Sequence, residues 1–259
     1  MPLPTLEPNT GIGSRPQLLL IPGAAHTKHI WNFWQNELDS SGWSSCALNL
    51  RGHGKCDKTN LSSTSIYDYL EDVRTASAQM KFPPVLVGWS MGATVALLAA
   101  SEGIGSACVA LDPSMPVKTA DQSVKLRHTE FDPDTWNITV DEPDVHPLMP
   151  DLNHEERRVI VKSLCRESQL ALDEQSKKGI VIENISSPVL VVRSTMGEQF
   201  EKGKFDSVWF KIDQLEMEST SHWGLVLNRR VLGREIEQIL EWINHQNLNM
   251  QSNEQGLFK

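Results

Sequence analysis

A serine between two glycines stands at the junction of an apolar run and a helix-like run. The stretch is Gly88-Trp89-Ser90-Met91-Gly92, preceded by "PPVLV" and followed by "ATVALLAASEG". A sharp turn from strand to helix strains its central residue, and the two glycines leave the space that such a turn needs. The pattern predicts that Ser90 presents its hydroxyl as a nucleophile at the carboxyl end of a strand, where parallel sheets bind ligands.

The helix that begins at Met91 adds a site for negative charge. The first N–H groups of a helix have no partner within it, and they point towards the preceding turn. The Met91 N–H is therefore predicted to stabilise an oxyanion that develops when Ser90 attacks a carbonyl group. Because a serine hydroxyl is a poor nucleophile at neutral pH, this chemistry also requires a base.

Most of the chain alternates apolar runs of strand length with segments of helical spacing. The runs predicted as strands are "QLLLIPG", "SSCALNL", "PPVLVGWS", "SACVALDPS", "SPVLVVRS" and "DQLEMEST". Helical segments are predicted near 30–42, 65–80, 91–103 and 233–246. Continuous apolar runs separated by helices are typical of an α/β fold, with a mostly parallel sheet that is covered by helices on both faces.

The alternation of strands and helices breaks from about residue 115 to residue 187. The stretch "HTEFDPDTWNITVDEPDVHPLMPD" is acidic and aperiodic, and residues 153–179 read as one or two amphipathic helices. With neither a repeat nor a low-complexity linker in view, we predict one domain, 1–259, with an inserted helical cap at 115–187. The first sixteen residues contain four prolines and are predicted to be coil.

Charge and composition exclude several classes of function. The formal net charge is −9 and no block of basic residues stands out, which argues against a nucleic-acid partner. No run approaches the ~20 apolar residues that span a bilayer, and the N-terminus does not resemble a signal peptide. The four widely separated cysteines fit free thiols in the cytoplasm, and no histidine pair has the spacing of a zinc site. We therefore predict no membrane span, no metal and no cofactor; the oligomeric state stays open.

The chain resembles the α/β-hydrolase fold family. The resemblance rests on "LLLIPGAAH", "LNLRGHG", "VLVGWSMGA", "SPVLVV" and "STSHWG", which occur in the order of the family's motifs. It implies that the Ala24 N–H is the second oxyanion donor, although Pro22 stands where the family often carries histidine. The family often begins with two antiparallel strands, and this chain is predicted to lack that hairpin.

The resemblance also implies the partners of Ser90. His222 lies in a small, polar loop after the last predicted strand, where the family places its general base. The acid that orients this base has two candidates. Glu198 lies in the loop where most of the family carries aspartate, one residue beyond the expected position, which holds Gly197. Asp112 ends the strand after the nucleophile helix, where a minority of the family carries the acid.

Aromatic residues cluster along the predicted pocket. Trp89 precedes the nucleophile, Trp223 follows the base, and His26 lies in the oxyanion loop; all three are predicted to bind substrate. His53 is likewise predicted to line the pocket rather than to react. Such a lining favours a small hydrophobic substrate over a sugar or a highly charged ligand.

Together these residues predict a serine hydrolase of carboxylic esters, thioesters or lactones that works through an acyl-enzyme. Because a fold does not fix a reaction, two alternatives stay open. One is C–C bond hydrolysis, lyase or perhydrolase chemistry on the same fold. The other is a non-catalytic protein that only binds ligands.

Overall fold

A seven-stranded sheet forms the centre of the structure, a computed structural model that describes residues 6–8, 15–54, 59–136, 138, 148–196, 208–246 and 248. Its strands are β1 (Leu6–Pro8), β2 (Leu18–Ile21), β3 (Ser45–Leu48), β4 (Val85–Trp89) and β5 (Ala107–Leu111), then β8 (Val189–Ser194) and β9 (Asp213–Met217). Their order is β1-β3-β2-β4-β5-β8-β9, and all except β1 run parallel to their neighbours. The parallel sheet expected from the apolar runs is confirmed.

The N-terminal segment differs from its prediction. Leu6–Pro8 pairs antiparallel with β3, so the expectation of coil is wrong for these residues. A short extended segment pairs its backbone groups at a sheet edge without needing an apolar run, which is why the sequence pattern did not reveal it. Within the described residues no second strand precedes β2, so the N-terminal part of the sheet is one strand rather than a hairpin.

Alternate residues of each strand face opposite sides of the sheet. Leu18 and Leu20 pack in one core, while Leu19 and Ile21 pack in the other, and all four are fully buried. A strand covered on both faces needs apolar residues at every position, and this explains the continuous "LLLI" run.

Helices cover both faces of the sheet. They are α1 (Asn32–Ser40), α2 (Ile66–Ala78), α3 (Met91–Ser101), α6 (Gly224–Leu227) and α7 (Leu232–His245). Residues of α1, α6 and α7 join the first core, and residues of α2 and α3 join the second. Helix α3 is buried at every residue from Met91 to Ala100, which explains its run of small and apolar side chains.

The segment between β5 and β8 contains the residues predicted as a cap. It includes β6 (Glu130–Phe131) and β7 (Glu167–Ser168), which pair antiparallel, together with α4 (His154–Ser163) and α5 (Gln169–Asp173). Residues 153–179 are predicted to form one or two amphipathic helices, and α4, the first helix there, begins with a capping box between Asn153 and Glu156. We call residues 115–187 the cap segment; its boundaries and the single domain remain predictions.

Candidate active site

The turn between β4 and α3 has the strain that the glycines predict. Ser90 has φ 57° and ψ −122°, a region that costs a non-glycine residue about 1–3 kcal/mol. The Ser90 N–H donates to the Leu111 carbonyl at 2.9 Å, and the Ser90 carbonyl accepts from the Ala93 N–H at 3.0 Å. These bonds from strand and helix hold the strained residue in place.

Both glycines are required by close packing. A Cβ atom on Gly88 would overlap the Gly92 carbonyl group. A Cβ atom on Gly92 would overlap the carbonyl oxygens of Ile21 and Pro22, at the end of β2. Because backbone cannot move aside as a side chain can, the Gly-x-Ser-x-Gly spacing follows from this contact between the turn and the neighbouring strand.

The loop after β2 brings Ala24 close to the same turn. A Cβ atom on Gly23 would lie 2.7 Å from the Trp89 ring and 3.0 Å from the Ser90 Cβ, so the loop packs directly on Ser90. In the described part of the chain, no acceptor is paired with the N–H of Ala24 or of Met91. This is the arrangement that two oxyanion donors need, and Pro22 does not prevent it because the donors are backbone groups.

His222 and Asp112 are brought together from distant parts of the chain. His222 Nδ1 lies 3.0 Å from Asp112 Oδ2, and both side chains are about one-eighth exposed, at 12% and 14%. Because a carboxylate only accepts hydrogen bonds, Nδ1 carries the proton and Nε2 is left as the basic nitrogen. The Trp89 ring, next to Ser90, lies 5.0 Å from the His222 ring, and its Nε1 donates to the His222 carbonyl at 2.9 Å.

Asp112 is held by the neighbouring strand. It follows β5 with φ 44°, and its own N–H donates to the Val192 carbonyl at 2.8 Å. The Ser194 N–H donates to Asp112 Oδ1 at 2.8 Å, and the Ser194 hydroxyl donates to Oδ2. The other candidate acid, Glu198, lies outside the described residues, as does Gly197.

The loop that carries His222 is fixed by the cap segment. Asp151 Oδ2 accepts the Ser221 N–H at 3.0 Å and the Asn228 side-chain amide at 3.1 Å. Sequence reasoning missed Ser194 and Asp151, since both act on residues far away along the chain. Only the strand register offered a signal: β5 and β8 pair Leu111 with Val192, and this places Ser194 beside Asp112.

An aromatic cluster surrounds His222. The Trp223 ring lies 5.5 Å from the His222 ring and 6.1 Å from the rings of both Trp89 and Trp136, and the His26 ring lies 5.3 Å from Trp89. Trp89, His26 and Trp223 are buried, whereas Trp136 is half-buried. Substrate binding by the three predicted residues therefore stays a prediction, and Trp136 of the cap segment is the more accessible ring.

His26 is a neutral imidazole with a fixed orientation. Trp223 Nε1 lies 3.4 Å from its Nε2, and its Nδ1 lies 2.8 Å from the Ser163 hydroxyl. That hydroxyl donates to the Ile160 carbonyl at 2.8 Å, so it accepts from Nδ1. Burial, with smaller contributions from His53 and His222, lowers the pKa of His26 to about 3. A nitrogen that accepts a proton so poorly does not compete with His222 as a base.

His53 is fully buried, and its Nε2 lies 3.3 Å from Glu167 Oε2 of the cap segment. That this ring lines the pocket stays a prediction. Within the described residues no group of three or more metal-binding side chains occurs. Among the helices that the structure describes, none combines the length and the apolar character that a bilayer crossing requires.

Residues 18–224 match the family model described as "Alpha/beta hydrolase family". The chain belongs to the alpha/beta hydrolase family. This confirms the resemblance and the fold class that the motifs predicted. No curated protein matches this sequence with significance.

Solved structures of two esterases and a thioesterase domain share the fold at low sequence identity. A thermophilic esterase from Thermogutta terrifontis is 14% identical, with a TM-score of 0.67 and coverage of 93% of each chain. Polyneuridine aldehyde esterase is 17% identical, with a TM-score of 0.64, and covers 88% of this chain and 100% of its own. A thioesterase domain from the curacin biosynthetic pathway is 16% identical, with a TM-score of 0.59 and coverage of 90% and 94%. At these identities the likeness concerns the fold alone.

Proposed function

We propose that this alpha/beta hydrolase is a serine hydrolase that cleaves a carboxylic ester, thioester or lactone of a small hydrophobic compound. The observation that carries the proposal is the 3.0 Å contact between His222 Nδ1 and Asp112 Oδ2, at the sheet edge where Ser90 has φ 57°. The His222 loop is joined to the Ser90 turn through Trp89, whose ring lies 5.0 Å from the His222 ring and whose Nε1 donates to the His222 carbonyl. An imidazole oriented by a carboxylate, on a loop that packs against the turn of a strained serine, fits nucleophilic acyl transfer.

The proposed reaction has two halves. The Ser90 oxygen attacks the substrate carbonyl carbon while His222 Nε2 accepts the hydroxyl proton. The N–H groups of Ala24 and Met91 stabilise the oxyanion of the tetrahedral intermediate. The C–O or C–S bond to the leaving group then breaks, and His222 returns the proton to it. A water molecule then attacks the acyl carbonyl carbon while His222 Nε2 accepts one of its protons. The bond to the Ser90 oxygen breaks, and His222 returns the proton to that oxygen.

Asp112 supports this cycle without taking the proton. Its carboxylate holds the tautomer of His222 and stabilises the imidazolium that forms during attack. Ser194 fixes both carboxylate oxygens, so the orientation of Asp112 does not depend on His222 alone. We therefore propose Asp112 rather than Glu198 as the acid.

A hydrophobic substrate is supported by the rings around the base. Phe131 and Trp136 of the cap segment lie 5.1 Å apart, and both are half-buried. The Trp136 ring lies 6.1 Å from the Trp223 ring, which in turn lies 5.5 Å from the His222 ring. Partly exposed aromatic rings that border a site in this way favour apolar acyl or alkyl groups. We also propose a cytoplasmic location, because the widely separated cysteines fit free thiols in a reducing compartment.

Labelling with a fluorophosphonate probe tests the proposal. The purified protein should be labelled on Ser90, while Ser90→Ala, with an unchanged circular dichroism spectrum, should not be labelled. Esters of p-nitrophenol with increasing acyl length should then be hydrolysed with a preference set by the aromatic pocket. Folded protein that is not labelled would favour the non-catalytic alternative. Labelling without hydrolysis of any ester or thioester would favour C–C bond or perhydrolase chemistry.

A further inference from the structure

The loop that carries the Ala24 N–H is held by the cap segment. The Ala25 N–H donates to Glu167 Oε2 at 2.9 Å, and the Ala25 carbonyl accepts from the Cys165 N–H at 2.9 Å. The Thr27 N–H donates to the Ser163 carbonyl at 2.7 Å. Of these three bonds to the loop, only the one from Ala25 to Glu167 involves a side chain.

The backbone at Ala25 needs such a hold. Ala25 has φ 58°, a left-handed conformation that alanine adopts at a cost. Without an outside partner, rotation at Ala24 and Ala25 towards ordinary values would relieve this strain. The same rotation would turn the Ala24 N–H away from the carbon attacked by Ser90.

Glu167 is suited to hold this loop. Its side chain is fully buried. Besides the Ala25 N–H, the carboxylate accepts hydrogen bonds from the Tyr69 hydroxyl and from the N–H of Ser168, the latter at 2.7 Å. Burial acts to raise the pKa of Glu167, but the adjacent His53 and these hydrogen bonds outweigh it and lower the pKa. The side chain is therefore an ionised carboxylate at neutral pH, and charged acceptors make the stronger hydrogen bonds.

We propose that Glu167 is a positioning residue for the oxyanion site: it fixes the strained Ala25 peptide and thereby directs the Ala24 N–H towards the oxyanion. The inference rests on the proposed serine hydrolase function. Because Glu167 is fully buried, it does not touch the substrate, and its effect passes through the loop. The cap segment would thus complete the catalytic site that Ser90 begins.

Two substitutions of Glu167 and one control test the inference. Glu167→Leu removes both acceptor oxygens, while Glu167→Gln keeps one of them. Asp173→Asn is the matched control, since Asp173 is a buried carboxylate of the cap segment whose partners include Arg127 and Lys177. Thermal unfolding followed by circular dichroism shows which variants fold.

Two measurements separate positioning from general damage. The first is amide hydrogen exchange over residues 22–27, which should speed up in Glu167→Leu and not in Asp173→Asn. The second is the rate of hydrolysis of an ester relative to its thiono analogue, whose C=S sulfur accepts hydrogen bonds weakly and so gains little from the oxyanion donors. In Glu167→Leu we expect kcat for the ester to fall about tenfold to a hundredfold, KM to change by less than about twofold, and the ester-to-thionoester ratio to shrink.

Glu167→Gln should lie between the wild type and Glu167→Leu in both measurements, and it decides the matter if the leucine variant does not fold. A folded variant with wild-type exchange over 22–27 and an unchanged ratio would overturn the inference. Failure of the proposed function is distinguishable, because the wild-type protein would then neither label on Ser90 nor hydrolyse esters. In that case faster exchange in Glu167→Leu would leave only the structural hold on the loop, and the catalytic inference would fall.

Discussion

Two pairs of histidine and carboxylate lie near the oxyanion loop, and they differ in exposure. His222 and Asp112 are 3.0 Å apart, with side chains 12% and 14% exposed. His53 and Glu167 are 3.3 Å apart, with no exposed surface on either side chain. The residue types are alike, so the chemistry available to each pair is set by its surroundings.

The hydrogen bonds explain the difference. In the first pair the carboxylate is held by Ser194 and the imidazole keeps Nε2 available. In the second pair the Glu167 oxygens are occupied by the N–H groups of Ala25 and Ser168 and by the Tyr69 hydroxyl. An accessible pair can transfer protons to a substrate, whereas a fully buried carboxylate whose oxygens are already occupied can only hold its neighbours.

The largest expected effect separates the two histidines. His222→Gln should reduce ester hydrolysis by about 10⁴-fold or more, as should Ser90→Ala, because each removes a group that forms or breaks bonds. His53→Gln should reduce it by less than about tenfold, because this ring only borders Glu167. Initial rates on a p-nitrophenyl ester, with folding checked by circular dichroism, measure both. An equal loss in folded His53→Gln would show that the buried pair takes part in chemistry.

The next effect distinguishes the two candidate acids. Asp112→Asn should reduce kcat by about 10³- to 10⁴-fold, because an amide no longer fixes the tautomer of His222 or stabilises the imidazolium. Glu198→Gln serves as the control and should stay within about twofold of the wild type. The reverse pattern in steady-state kinetics would assign the acid to the loop after β8.

The smallest effect concerns a third carboxyl, beneath the His222 loop. Glu235 is buried and accepts the Thr220 hydroxyl at 2.9 Å. Burial raises the pKa of Glu235 from 4.5 to about 7. The negative charge of Asp151 adds to this rise, whereas the hydrogen bond from Thr220 and the positive charge of Arg234 oppose it. Since the folded-state pKa exceeds the unfolded value, this group's contribution to stability is fully present below pH 4.5 and is lost as the pH rises through about 7.

Glu235→Gln should therefore stabilise the protein at alkaline pH. The neutral amide keeps an acceptor for Thr220 and removes the buried charge, so we expect a gain of about 1–3 kcal/mol in the free energy of unfolding at about pH 8. At about pH 5, where Glu235 is already protonated, the change should be near zero. Urea unfolding at the two pH values measures this, and an equal gain at both would contradict the pKa shift.

Much of the site could be predicted from local patterns. The Gly88-x-Ser90-x-Gly92 turn could be recognised from its spacing after an apolar run, although Gly92 is also required by contact with the end of β2, and the order of apolar runs predicts a parallel sheet. Ser194, Asp151 and Glu167 could not be found in this way. Each acts across 70 or more residues of sequence, on Asp112, Ser221 and Ala25 respectively. Such contacts leave no trace in spacing or periodicity.

The sequence by itself determined the strand-turn-helix that strains Ser90 and the two-sided apolar strands that place this turn at a sheet edge, because local spacing and the pattern of apolar residues encode both. Only the tertiary structure decided which histidine meets which acid. Strand register and the path of the cap segment placed Asp112 beside His222 and buried Glu167 against His53. Both contacts depend on how distant segments of the chain pack together.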